Sequence, residues 1–220
     1  MGTEIKYKNA FGEELSLQQI KSTSSDYSQE QYVDGELKRI DEFEAGEVVY
    51  GIYYLSEGEN IQTVLNELSE VWETAEVYTS KETIGDSTAR NWELYKGIQK
   101  INSGKNVYDS ENREIASQQV SVLTGGITSV TKIFYLETFG SFIDNGDVQN
   151  FGTIEFDYVY SEQIPGQIRV MVNLPGYEIK EYYLSERKNV LLEPLIREVF
   201  IWEDHPYYHS SFPLIPTSTV

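Results

Sequence analysis

The sequence contains no cysteine. This absence excludes disulfide bridges, thiolate metal sites and cysteine nucleophiles together. No apolar run approaches the roughly 18 consecutive residues that a transmembrane helix needs. The first residues, Met1 to Lys6, contain neither the basic region nor the apolar region of a signal peptide. We therefore expect a cytoplasmic protein without a membrane span.

Basic residues are scarce, since 17 Lys and Arg stand against 36 Asp and Glu and give a net charge of −19. Residues 1–80 carry −12 of that charge, from 17 acidic and 5 basic residues. Such a surface repels nucleic-acid phosphates and anionic membranes, so we expect neither as a partner. It attracts basic proteins over about one Debye length, roughly 8–10 Å in physiological salt. The alternative is that the charge serves solubility alone.

Apolar residues make up 40% of the chain and aromatic residues 13%, which is enough for a self-supporting core. We predict an α+β fold: a largely antiparallel sheet of hairpins in a meander, with one amphipathic helix near residues 60–73. Six apolar residues recur there at helical spacing: Ile61, Val64, Leu65, Leu68, Val71 and Trp72. Residues 194–202 read either as a second helix or as a buried strand. We expect a single domain over 1–220, or else a division into 1–124 and 127–220.

The second half of the chain alternates apolar and polar residues, which predicts strands near 130–139, 152–160 and 168–174. Asn145-Gly146 predicts a hairpin turn. The polar stretch from Ser22 to Gln31 predicts a loop.

One short motif occurs twice, eleven residues apart, as Tyr32-Val33-Asp34-Gly35-Glu36-Leu37 and Phe43-Glu44-Ala45-Gly46-Glu47-Val48. Each copy reads aromatic, two residues, glycine, glutamate, aliphatic, which predicts a meander with glycine at positive φ in each turn. The stretch resembles the short hairpin repeats of MORN-like proteins, including bacterial antitoxin-type members. Such arrays need at least three units to bury a continuous core, so we interpret the two copies as a local hairpin feature and not as a family assignment.

The chain has neither a G-x-S-x-G elbow nor a G-x-G-x-x-G motif, and we assign no catalytic residue and no cofactor. The two histidines, His205 and His209, are four residues apart and are the candidate metal ligands. The alternative is that both rings pack or form hydrogen bonds. Paired carboxylates could also hydrolyse a glycosidic bond, but 36 acidic residues make such a pair common by chance.

The strongest candidate for a binding surface combines acidic and tyrosine side chains in the first third of the chain. Carboxylates steer a basic partner and pair with it, while tyrosine supplies contact area at low entropic cost. The alternative is a solvated edge whose charges prevent aggregation. The predicted partner-binding residues are Asp34, Glu36, Asp41, Glu42, Glu44, Glu47, Tyr50, Tyr53 and Tyr54. We expect their carboxylates to form one continuous exposed patch.

These observations favour a non-enzymatic acidic protein that binds a basic protein, most concretely a bacterial immunity-type or antitoxin-type inhibitor. A first alternative is a hydrolase acting on a carbohydrate or another neutral substrate through paired carboxylates, with a metal at His205 and His209. A second alternative is a structural or virion component. The sequence leaves the oligomeric state open.

Overall fold

The computed structural model of the protein describes residues 2–22, 26–136, 142–144, 147–149, 152–159, 167–174, 178–185 and 200–216. Two helices lie in these ranges, α1 (Leu17–Ser22) and α2 (Ile61–Leu68), with 3-10 turns at Trp202–Asp204 and Pro206–His209. The strands are β1 (Thr3–Asn9), β2 (Tyr27–Val33), β3 (Glu36–Glu44), β4 (Glu47–Tyr54), β5 (Thr74–Ile84), β6 (Ser87–Lys96), β7 (Gln99–Tyr108), β8 (Glu114–Val120), β9 (Ile127–Leu136), β10 (Phe142–Asp144), β11 (Asp147–Gln149), β12 (Gly152–Val159), β13 (Gln167–Asn173) and β14 (Lys180–Ser185).

Twelve strands are hydrogen-bonded side by side in the order β1-β2-β3-β4-β5-β6-β7-β8-β9-β12-β13-β14, and β10 pairs with β11 separately. Strands β1 to β4 form an antiparallel meander, and β8, β9, β12, β13 and β14 are also joined antiparallel. Strands β4 and β5 pair in parallel. The prediction of a sheet-rich, largely antiparallel fold is therefore confirmed.

The two copies of the sequence motif form the two turns of the first meander. Asp34 and Gly35 have φ of 50° and 86°, and Ala45 and Gly46 have φ of 50° and 85°. Positive φ at both central residues is the geometry of a type I′ hairpin, whose twist matches that of the flanking strands. The predicted hairpins at these positions are confirmed.

The prediction of a loop over residues 22–31 is wrong for its second half, because β2 begins at Tyr27. The Tyr27 ring stacks on Phe43 with 4.6 Å between centroids, and Tyr7 meets its edge at 6.3 Å. Both contacts come from neighbouring strands. Pairing on two sides thus outweighs the polar composition of the segment.

Helix α2 lies inside the range predicted for a helix but ends earlier than predicted. It begins after Asn60, whose side chain accepts a hydrogen bond of 3.1 Å from the backbone N–H of Thr63. It ends at Leu68, and the following turn carries Trp72 to the sheet. The helix connects β4 to β5, and a crossover of this kind is what a parallel pair of strands requires.

The chain divides into two compact units, which are described separately. The first comprises Met1–Lys81 and Arg90–Ser103, and the second Glu82–Ala89 and Gly104–Val220. The core of the first unit contains Val64, Leu65, Leu68, Trp72, Ala75, Val77 and Tyr95. The expectations of a single domain, or of a division near residue 124, stay predictions.

The core of the second unit lies on one face of β9, β12 and β13. Ile154, Phe156 and Tyr158 alternate into it from β12, and β13 contributes every second residue from Ile168, which confirms the predicted alternation. Phe200 and Tyr208 of the C-terminal segment are buried against the same cluster. The Asn145-Gly146 turn and residues 194–199 lie outside the described residues.

No helix in the described parts of the chain is long and apolar enough to cross a membrane.

Candidate acidic binding face

The acidic residues of β3 and β4 are positioned by the strand register. Glu42 lies opposite Tyr50, and Ile52, two residues further along β4, lies beside Glu76 of β5. Opposite residues, and residues two apart in a strand, share a face of the sheet. Glu42, Tyr50 and Glu76 therefore share one face, and the Tyr50 hydroxyl donates a hydrogen bond of 2.8 Å to Glu76 Oε2.

Glu44 and Glu47 lie opposite each other at the turn between β3 and β4, and both side chains are exposed. Burial, and after it the charges of Glu44 and Glu76, raise the pKa of Glu42 above its ordinary value. No lysine, arginine or histidine among the described residues forms an ion pair with these carboxylates. We call Glu42, Glu44, Glu47, Tyr50 and Glu76 the acidic face.

Asp41 lies on the other side of the sheet, opposite Gly51, and is only 4% exposed. Its carboxylate accepts hydrogen bonds from Trp72 Nε1 at 2.6 Å and from Arg39 Nε at 2.8 Å. Asp41 thus belongs to the interior, contrary to the exposed position that we expected. Successive side chains of a strand point to opposite faces, so Asp41 cannot join Glu42 at one surface.

Tyr53 shares the Asp41 side of the sheet, and its charged neighbours already have partners. Its hydroxyl donates to Glu59 at 3.1 Å, and Lys38 lies 4.7 Å from the ring centroid. Lys38 also forms an ion pair with Glu59 at 2.5 Å. Burial, followed by the Glu59 charge, raises the pKa of Tyr53 to about 12.

Asp34 and Glu36 are exposed, but they lie at the far end of β3 from Glu44. The nine residues of β3 span roughly 30 Å at about 3.3 Å per residue. Asp34 also accepts a hydrogen bond of 3.0 Å from the backbone N–H of Gly2. The predicted carboxylates therefore form two exposed groups and one internal acid, and not one continuous patch.

Tyr54 lies on the same side of the sheet as Tyr50, and its ring stacks on Tyr78 with 5.0 Å between centroids. The Arg90 guanidinium lies 5.3 Å from the Tyr54 ring. Glu76, Tyr78 and Arg90 are neighbours of these tyrosines that the sequence did not predict. The pattern of strand, helix and strand over β4, α2 and β5 is typical of a parallel pair of strands. It is the feature of the sequence that indicates that β5 lies beside β4.

The two histidines pack against aromatic rings of the C-terminal segment. His205 stacks on Phe200 at 4.6 Å, and burial lowers its pKa. His209 stacks on Trp202 at 4.4 Å, and its Nε2 lies 2.7 Å from the Trp202 carbonyl oxygen. No group of three His, Asp or Glu side chains that could hold a metal ion occurs in the part of the chain that the structure describes. The metal site stays a prediction from sequence.

Comparison with known proteins identifies no relative: no protein-family model, no curated protein and no solved structure matches the chain.

Proposed function

We propose that this protein is a non-enzymatic binding protein that engages a basic protein through the acidic face. Its most concrete form is an immunity-type or antitoxin-type inhibitor in a bacterial cytoplasm, built on an α+β fold with α2 as the amphipathic helix. The observation that carries the proposal is the absence of a countercharge at Glu42, Glu44, Glu47 and Glu76 among the described residues, although Glu30, Asp41 and Glu59 of the same unit have one.

The contrast within the first unit supports this proposal. Glu30 is paired with Lys8 at 2.9 Å, and Glu59 with Lys38 at 2.5 Å. Lys6 pairs with Glu4 and Glu14, and Arg39 with the internal Asp41, so four of the five basic residues before residue 81 pair with acids outside the acidic face. Carboxylates that repel one another raise the free energy of the unbound protein, and a cationic partner relieves this repulsion.

Charge reversal tests the proposal, with Glu42, Glu44 and Glu47 all changed to Lys. The matched control changes Glu36, Glu57 and Glu67 to Lys, because these exposed acids give the same change in net charge away from the acidic face. A host protein captured by the wild-type chain is purified, and its affinity for the three chains is measured at several salt concentrations.

We expect the control to keep most of the affinity, and the reversed variant to lose both the affinity and most of its salt dependence. Equal binding by the reversed variant and the control would overturn the proposal. Capture of an acidic partner would overturn it as well. The hydrolase and the structural or virion component stay alternatives from sequence.

A further inference from the structure

An aromatic ring, a carboxylate and a cation recur as a unit in this protein. At Tyr53 the hydroxyl donates to Glu59, and Lys38 contacts both the ring, at 4.7 Å, and the carboxylate, at 2.5 Å. The cation therefore interacts with the face of the ring and with the acid that the same ring binds.

The same three groups meet at Trp72. Its indole N–H donates to Asp41 at 2.6 Å, while the Arg39 guanidinium lies 4.6 Å from the ring and its Nε donates to Asp41 at 2.8 Å. Arg39 therefore contacts both the Trp72 ring and the carboxylate to which that ring donates.

At Tyr32 two lysines share this role. The hydroxyl donates to Glu30 at 2.6 Å, Lys8 forms an ion pair with Glu30 at 2.9 Å, and Lys6 lies 5.5 Å from the ring. Each of these three arrangements is complete within the first unit.

Tyr50 forms the same arrangement without the cation. Its hydroxyl donates to Glu76 at 2.8 Å, and Glu42 lies opposite it on β3. Among the described residues, no lysine or arginine stacks on Tyr50 or forms an ion pair with Glu42 or Glu76. Burial, and after it the charges of Glu44 and Glu76, raises the pKa of Glu42.

We propose that Tyr50, Glu42 and Glu76 form the receiving site for an arginine side chain of the basic partner. This inference rests on the proposed function and identifies the contact group. A guanidinium is planar and stacks on an aromatic ring, and its five donors can reach two separate carboxylates at once. An ammonium group is a compact point charge that is more strongly hydrated, so lysine fits this site less well.

The test uses two synthetic peptides of equal length and charge, nona-arginine and nona-lysine, with affinities measured by calorimetry at low salt. The variants are Glu42→Gln, Glu76→Gln and Tyr50→Leu. Glu36→Gln and Glu57→Gln are the matched controls, since both residues are exposed acids outside the acidic face: Glu36 begins β3, and Glu57 follows β4. Tyr50→Phe retains the ring but not the hydroxyl, and Glu42→Gln and Glu76→Gln keep the test decisive if Tyr50→Leu does not fold.

We expect the wild-type chain to bind nona-arginine more tightly than nona-lysine, by about threefold or more. Each site variant should weaken arginine binding about three- to tenfold and reduce the preference for arginine, whereas the controls change it less than twofold. Tyr50→Phe should retain most of the preference.

Two outcomes overturn the inference: equal affinity for the two peptides, or site variants that bind like the controls. If either occurs while the reversal of Glu42, Glu44 and Glu47 still abolishes partner binding, the proposed function stands and only the arginine site is wrong. If that reversal also leaves partner binding unchanged, both proposals fail.

Discussion

Trp72 Nε1 donates a hydrogen bond of 2.6 Å to Asp41, and the two residues are 31 positions apart in the chain. The indole packs against the sheet at Gly51, where an added Cβ would lie 2.0 Å from Trp72 Cδ2. The Arg39 guanidinium stacks on the Trp72 ring, and its Nε donates to the same Asp41 carboxylate. The turn after α2 is thereby attached to β3 and β4, the two strands that carry most of the acidic face.

Gly51→Ala is predicted to destabilise the protein, because three ring atoms of Trp72 lie 2.0 to 2.4 Å from the position of the new methyl group. Neither the ring nor the strand can move without breaking a buried contact. We expect a loss of about 1–3 kcal/mol in the free energy of unfolding, measured by urea denaturation. Gly126→Ala is the control, since its nearest neighbour would lie at 3.4 Å. Equal stability of the two variants would contradict the close packing at Gly51.

Asp41→Ala is predicted to destabilise the protein by about 1–3 kcal/mol, because the buried indole N–H loses its acceptor and Arg39 loses its counterion. Glu36→Ala is the control on the same strand, since Glu36 is exposed and its loss should change stability by less than about 0.5 kcal/mol. The measurement is the urea midpoint of each variant. An Asp41 variant as stable as the Glu36 variant would show that the internal contacts contribute little.

The hairpins at Asp34-Gly35 and Ala45-Gly46 could be predicted because the residues of a tight turn determine its geometry locally. The division of the acidic side chains into separate groups does not follow from their distance along the chain. In a strand, Asp41 and Glu42 must point to opposite faces, and this follows from the sequence once β3 is recognised. The contribution of Glu76 could not be read in the same way, since it depends on the parallel pairing of β4 with β5 across α2.

Lys132 is predicted to make stability depend on pH between about 8 and 10. It is fully buried, and its ammonium group donates to the carbonyl oxygens of Tyr207, at 2.7 Å, and Ser210, at 2.8 Å. Burial lowers the pKa of Lys132 to about 8, from the ordinary value of 10.5. The folded protein therefore releases this proton before the unfolded chain does, and stability increases as pH increases through this window.

We expect this increase to be of the order of 1–2 kcal/mol, and to be absent in Lys132→Met. Urea midpoints measured from pH 7 to pH 10 check it, with the two chains compared at each pH. Above pH 10 the stability should decrease again with increasing pH. Burial raises the pKa of Tyr207 and Tyr208, so these two hydroxyls lose their protons in the unfolded chain at a lower pH than in the folded protein. Parallel curves for the two chains up to pH 10 would refute the role of Lys132.

Glu42→Gln is predicted to increase the Tm of the free protein at pH 7. In the folded state, burial and then the charges of Glu44 and Glu76 raise the pKa of Glu42. The ionised Glu42 carboxylate therefore has a higher free energy in the folded protein than in the unfolded chain. The penalty is present when pH exceeds the folded pKa, and it disappears once Glu42 is protonated. The gain in Tm should therefore be lost near pH 4, and high salt should reduce it at pH 7.

Glu36→Gln provides the comparison, because Glu36 is an exposed acid of the same strand, outside the acidic face. A gain at Glu42 without one at Glu36 would show that the charge of the acidic face lowers the stability of the unbound protein. That cost has a consequence for binding, since a cationic partner that offsets the repulsion from Glu44 and Glu76 recovers this part of it. Equal melting temperatures for the two variants at pH 7 would mean that Glu42 experiences no such repulsion, and the electrostatic basis of the arginine site would be lost.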